Sequence, residues 1–328
     1  RVTEGNNIKL IENGKVVADI PVPLLTDDAP VYDRPSKRPA TQDELNTLDL
    51  SKLSEPKDYN ATLITLMSSM NLASREWIYR QYDHMVRTDT VVCPGSDAAV
   101  VRIKGTKKAL ALTADCNSRY CYLDPRTGGK IAVAEAARNL VSSGAKPMAL
   151  TDCLNFGNPE RPEVMWQLIE AIEGIKEACH ALGVPVVSGN VSLYNETSGT
   201  SVYPTPTIGM VGLIEDLTNH TRQWFLEEGD LVALLGVNAS SLGGSEYLSL
   251  VHKLEKGLPP VIDLVLEKAV QEACLKAVRA GIILSAHDVS EGGLSVALAE
   301  ACMNPDGPIG AEVELDAAFA EAHPPIRP

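Results

Sequence analysis

The chain has 328 residues, 45% of them apolar, 22% charged and only 5% aromatic, and its formal net charge is −14. This is the composition of a folded globular protein, long enough for two domains of roughly 100–200 residues each. The acidic balance excludes nucleic acid and anionic membrane surfaces as partners, since both would be repelled. No apolar run approaches the ~20 residues that span a bilayer.

Ile8–Leu10 and Val16–Ile20 flank Asn13-Gly14, a strong short-range signal for a β-hairpin. Residues 21–57 are rich in proline and charge and read as a linker crossing a surface, so that a first fragment ends near residue 35. From Tyr59 the apolar spacing of Leu63, Leu66, Met67 and Met70 predicts a helix of about three turns. Ala98–Ile103 and Ala109–Ala114 read as strands joined by the basic turn Lys104–Lys108. The Ala-rich stretch Ile131–Leu140 reads as a helix stopped at Gly144, and Glu163–Leu182 as a longer one stopped at Gly183. Between them Met148–Leu150 predicts a short strand; Pro185–Ser188 predicts a buried strand, and Thr207–Leu213 a further one. Strands at Leu231–Leu235 and Ile282–Leu284 are expected to bracket a helix over Leu264–Ala280, and a last helix opens near Gly292-Gly293 and runs to about Met303. The order predicts two α/β or α+β domains with a boundary at 215–228 and no internal repeat of 20–50 residues.

Seven cysteines, an odd set without a C-x-x-C pair, read as reduced thiols of a cytosolic protein, and Cys116-x4-Cys121 has no second pair to complete a zinc site. Nucleotide templates fail as well. Gly128-Gly129-Lys130 lacks the leading glycine and the Ser/Thr of a P-loop, and no G-x-G-x-x-G follows a strand. No G-x-S-x-G marks a hydrolase, and Leu242-Gly-Gly-Ser-Glu246 is too short to be more than a ligand loop.

What remains is a set of carboxylates and amides beside small residues at the ends of predicted elements, where open α/β sheets bind ligands. Asp115 ends a strand. Glu135 and Asn139 form an i,i+4 pair whose tips share one helix face. Asp152 and Asn155 follow a short strand, Gly189, Asn190 and Ser192 follow a valine run, and His287-Asp288-Val-Ser290-Glu291-Gly-Gly293 forms a strand-to-helix turn. Mg²⁺ prefers such oxygen donors and bridges them to phosphates, while a glycine turn before a helix admits a phosphate to backbone N–H groups. Taken singly, each segment reads equally as a turn, a polar helix face or a cap. Their co-occurrence favours a magnesium–phosphate site.

In order, Gln81-Tyr-Asp-His-Met-Val86, Pro94-Gly-Ser-Asp-Ala98, Thr113-Ala-Asp-Cys-Asn-Ser-Arg119, Ala134-Glu-Ala-Ala-Arg-Asn139, Thr151-Asp-Cys-Leu-Asn-Phe-Gly-Asn-Pro159, Ser188-Gly-Asn-Val-Ser-Leu-Tyr-Asn195 and Ala286-His-Asp-Val-Ser-Glu-Gly-Gly293 resemble the small type of phosphoribosylformylglycinamidine synthase. The resemblance extends from the opening hairpin to about Leu315. It implies a mixed-sheet A domain of the aminoimidazole ribonucleotide synthetase type followed by an α/β B domain. Residues 1–35 would be the tail of a preceding B domain, 36–57 a linker, 58–216 a second A domain and 217–328 a second B domain, truncated. The chain is therefore expected to be a fragment of a longer enzyme, inactive alone, with the catalytic histidine in a missing first half; His84 stands in a different context and is not assigned that role.

The family converts formylglycinamide ribonucleotide, ATP and ammonia to formylglycinamidine ribonucleotide, ADP and phosphate, forming a C–N bond with glutamine as the nitrogen source. A glutaminase subunit and a small bridging subunit are its partners. By motif, Asp152 and Gly189 match ATP contacts, Asn190 a Mg²⁺ ligand and Ser192 a substrate contact. Asp115, Glu135, Asn139 and Asp288 match Mg²⁺ ligands of a second nucleotide held without turnover, which Ser290 contacts. The resemblance also implies that two A domains pair, so that this chain alone would form a homodimer. Two alternatives stay open: a purely structural nucleotide–Mg²⁺ module, and a related synthetase or kinase of the same superfamily.

Overall fold

The computed structural model describes residues 2–237 and 241–314, and the chain divides into two compact units on either side of the Pro35–Ser36 bond. The first is the expected hairpin, β1 (Asn7–Glu12) and β2 (Lys15–Pro21). Asn13 and Gly14 both take positive φ, 50° and 76°, as a two-residue turn matched to strand twist requires.

The second unit opens with the short helix α1 (Gln42–Asn46), which lies inside the expected linker. This stretch does not merely cross the surface: Gln42 is buried and its amide donates to the carbonyl of Leu123. There follow α2 (Tyr59–Met67), capped by Asp58, and α3 (Glu76–Tyr79). Next come β3 (Thr90–Val92), β4 (Ala99–Arg102), β5 (Ala109–Asp115), α4 (Ser118–Leu123) and α5 (Pro125–Ser142). Then come β6 (Lys146–Asn155), α6 (Pro162–Leu182), β7 (Val186–Ser192), the small hairpin β8 (Glu196–Thr197) and β9 (Thr200–Ser201), and β10 (Thr205–Ile214). The last helices are α7 (Leu264–Arg279) and α8 (Gly293–Cys302).

Six strands form a mixed sheet in the order β3-β4-β5-β10-β6-β7; only β6 and β7 are parallel, joined by the crossover helix α6. Helices α5 and α6 cover one face, and the core between them and the sheet is built of small and branched residues such as Val100, Ala111, Ala136, Leu140, Ile208 and Met210. Helix α5 starts earlier than its apolar spacing suggests because Asp124 accepts bonds from the N–H groups of Arg126 and Thr127, and Pro125 fits the first helical position. It is buried nearly all round, flanked by β5, β10, α4, α6 and α7, which explains its alanines.

Three strand expectations need correction. Residues 186–192 form an edge strand exposed on both faces, not a buried one: Val187 is 69% exposed. No neighbouring layer covers that side, so a valine run reports strand tendency there and not burial. Leu231–Leu235 and Ile282–Leu284 are not strands among the described residues, since neither finds a pairing neighbour; Leu231 is 97% exposed. The sheet expected for the second domain is therefore absent among the described residues, where α7 and α8 stand without one.

Helices α5 and α6 touch backbone to backbone. A Cβ on Gly174 would sit 2.0 Å from the carbonyl oxygen of Arg126, and one on Gly129 2.5 Å from that of Ala171. Gly174→Ala is therefore expected to destabilise the fold by about 1–3 kcal/mol, even though alanine is the better helix former by about 1 kcal/mol. A lowered urea midpoint at unchanged slope would register it.

Candidate magnesium and nucleotide site

The C-terminal end of β5, the middle of α5 and the turn before α8 converge. Asp115 ends β5, and its two oxygens accept bonds from Thr113 Oγ1 and Asn139 Nδ2, both at 2.8 Å. Glu135 lies one helical turn before Asn139 on α5, and both are buried. Asp288 comes in beside them, with Arg138 Nε 3.7 Å from its Oδ2, while Arg138 Nη1 bonds Glu267 of α7 at 3.0 Å. The structure thus brings together the four residues read as magnesium ligands of one half-site.

Further residues complete the cluster. Glu291 sits close enough to Asp115, Glu135 and Asp288 to repel all three, and Asn117 Nδ2 holds it at 2.8 Å. Asp97, in the turn before β4, meets His287 at 2.6 Å. Asp97, Glu291 and Arg138 all lie within the motif strings, but periodicity gives them no distinction there. Asn117 also caps α4, the only role that its position after a strand suggests.

The electrostatics are those of carboxylates crowded into a poorly solvated place. Burial pushes the Asp115 carboxyl up to about 6, with Glu291 adding to the rise against the bonds from Thr113 and Asn139. Burial and then Asp97 push Asp288 to about 7, opposed by Arg138 and His287. Glu135 rises well above the usual carboxylate range, first from burial and then from Glu291 and Asp288. Oδ2 of Asp288 and Oδ2 of Asp97 are buried without a hydrogen-bond donor. Hard oxygen donors, excess negative charge and an unpartnered buried carboxylate oxygen all fit a divalent cation such as Mg²⁺.

The remaining sequence candidates lie elsewhere on the sheet. Asp152 on β6 pairs in register with Gly189 on β7 and with Ile208 on β10, and Ile208 in turn pairs with Asp115. Asp152 and Gly189 therefore lie on the same face as Asp115, about 10 Å along the same row at ordinary strand spacing, toward the edge that stays exposed. Asn190 and Ser192, by alternation, belong to the opposite, uncovered face. Ser192 Oγ bonds Asn195 Oδ1 at 3.2 Å. Ser290 lies in the turn before α8 but does not cap it: the cap position is Gly292, at φ 86°. The Leu242–Glu246 loop is a structural anchor, its Glu246 carboxylate buried against Arg119 and Asn71 at 3.0 Å each.

Carboxyls with raised folded-state values keep protons that the unfolded chain has already lost. Stability without metal is thus expected to fall as pH rises from about 4 to about 7, the window between the ordinary carboxylate value and the values of Asp115 and Asp288. Mg²⁺ binds only the ionised form, so its stabilising effect is expected to be larger at pH 8 than at pH 5. Thermal melts at both pH values, with and without 10 mM Mg²⁺ (roughly the upper end of ordinary assay conditions), check this. An equal shift at both would contradict it.

Comparison with known proteins agrees with the fold. The family described as AIR synthase related protein, N-terminal domain, matches residues 95–214, and the corresponding C-terminal domain family matches 227–328. The phosphoribosylformylglycinamidine synthase subunit PurL of Moorella thermoacetica is 56% identical over 315 residues, 96% of this chain and 43% of that protein. The solved structure of Thermotoga maritima PurL complexed with ATP superposes with a TM-score of 0.58 at 27% identity, covering 90% of this chain and 42% of that one. The structure of PurLQS from the same organism gives 0.57 at 28%, with the same coverage. The chain spans less than half the length of the curated relative it matches. On these matches, the chain belongs to the AIR synthase related family and, within it, to the PurL subunits of phosphoribosylformylglycinamidine synthase.

Proposed function

We propose that this chain is the second half of a PurL-type synthase, which converts formylglycinamide ribonucleotide and ammonia derived from glutamine to formylglycinamidine ribonucleotide at the expense of ATP, in the cytoplasm. In this reading it works beside a glutaminase subunit and a small bridging subunit. The 1–35 unit is the tail of the preceding B domain, 58–216 the second A domain and 217–328 the second B domain. The supporting observation is that Asn139 bonds Asp115 and that the charges of Asp115 and Asp288 both act on the buried Glu135.

These four residues would hold Mg²⁺, which supplies screening of the nucleotide's phosphate charge. Glu135 and Asp288 bring negative charge from two different elements, and Asn139 fixes the Asp115 carboxylate so that one of its oxygens is directed by an amide. Ser290 and the N–H groups at the glycine turn would meet phosphate oxygens. Asp152, Gly189, Asn190 and Ser192 would serve the other, reacting nucleotide and the ribonucleotide substrate from the β6–β7 edge. Their placement on two faces of that edge suits a site completed by another domain.

The uncovered face of the sheet carries Leu110, Leu112, Val187 and Val211, all exposed. It would pair with the A domain of the missing half, and in the isolated chain with a second copy. Sedimentation is expected to give a dimer of the 35.2-kDa chain, and Leu112→Glu to return it to monomer. A strictly monomeric chain at high concentration would remove the pairing surface.

ATP binding measured calorimetrically with Mg²⁺ present is expected to weaken by about 10–100-fold in Asp115→Ala and in Asp288→Ala. Asp152→Ala should leave this binding unchanged. Unaltered affinity in the first two variants would dismiss the nucleotide reading.

A further inference from the structure

We infer that His287 is a positioning residue. It clamps the turn before β4 to helix α8 and thereby holds Asp288 and Glu291 where a cation needs them. This rests on the nucleotide reading above only for the identity of the ligand.

The His287 ring is bonded at both nitrogens. Nδ1 lies 2.6 Å from Asp97 Oδ1 and Nε2 lies 3.0 Å from Glu300 Oε2. A neutral imidazole has one N–H and would turn a lone pair toward one of these carboxylates, whereas the imidazolium donates to both. The bridge joins distant parts of the chain. Asp97 lies in the stretch matched by the N-terminal domain family, and His287 and Glu300 in the stretch matched by the C-terminal one.

The segment that this bridge controls has little stiffness of its own. Gly292 and Gly293 both take left-handed φ, 86° and 68°, and Ser290 makes no cap. Its orientation must come from its flanks, which are His287 on one side and the Asn117–Glu291 bond on the other. Asp288 is next to the clamp, and its Oδ2 has no donor. Ligand atoms of Asp97, His287 and Asp288 lie within 4.8 Å of one another, close enough for a metal ion. Yet both ring nitrogens of His287 are already taken up by Asp97 and Glu300. The geometry is that of a strap and not of a second metal centre.

The test uses the chain as it stands, with His287→Gln and Glu300→Ala as variants and Leu168→Ala, a core substitution on α6, as a control for general loss of stability. At fixed ATP, the Mg²⁺ concentration for half-saturation is expected to rise about tenfold or more in both clamp variants. ATP affinity at saturating Mg²⁺ should change much less, and the control should behave as the unsubstituted chain. Amide hydrogen exchange without any ligand is expected to quicken at residues 95–98 and 288–293 in the clamp variants alone. Unchanged Mg²⁺ dependence, or an equal rise in Leu168→Ala, overturns the proposal. If the unsubstituted chain binds no ATP, the nucleotide reading falls by itself. Exchange then decides: loss of protection confined to the clamp variants upholds the strap, and equal exchange overturns it. If His287→Gln does not fold, Glu300→Ala carries the same comparison.

Discussion

Carboxylates that cannot be diluted by water dominate this structure. Asp115, Glu135, Asp288 and Glu291 are carried by a strand end, a helix and a turn; Glu291 raises the proton affinity of the other three, and Asp115 and Asp288 raise that of Glu135. Arg138 and His287 offset part of this charge but are already engaged with Glu267, Asp97 and Glu300. A fold that gathers acids in this way is under tension at neutral pH until a cation or protons intervene. The rest of the molecule can be understood as the support that keeps these groups near one another.

That support depends on smallness. Because α5 and α6 approach through glycine and alanine, α5 can sit deep against the sheet and turn Glu135 and Asn139 toward β5. Larger residues at Gly129 or Gly174 would lift the helix and, with it, two members of the site. The scarcity of aromatics, a mere compositional fact at first, belongs to the same design: interlocking small side chains fill the space between sheet and helices.

The sequence was readable where local rules and long-range needs coincide. Asn13-Gly14 gives its turn because both residues tolerate positive φ, and Gly144 and Gly183 end helices for the same reason. The i,i+4 spacing of Glu135 and Asn139 placed both on one face, and the structure brings them to Asp115. Local rules failed where a neighbour decides the outcome. The valines at 186–187 are strand-forming whether or not a layer covers them, and Leu231–Leu235 needs a partner that composition does not reveal. Asp97 and Glu300 were invisible for a related reason. Their meaning comes from His287, which is 190 residues from one and 13 from the other.

Gly189 has ordinary backbone angles, so nothing in its own conformation calls for glycine. A Cβ there would fall 2.0 Å from Asp152 Oδ1 on the adjoining strand. The missing methyl is thus a seat for someone else's carboxylate. Any replacement, however well suited to a strand, would unseat Asp152 while leaving the backbone ladder intact. A defect at this position would therefore surface as altered ligand chemistry in a protein that still melts normally.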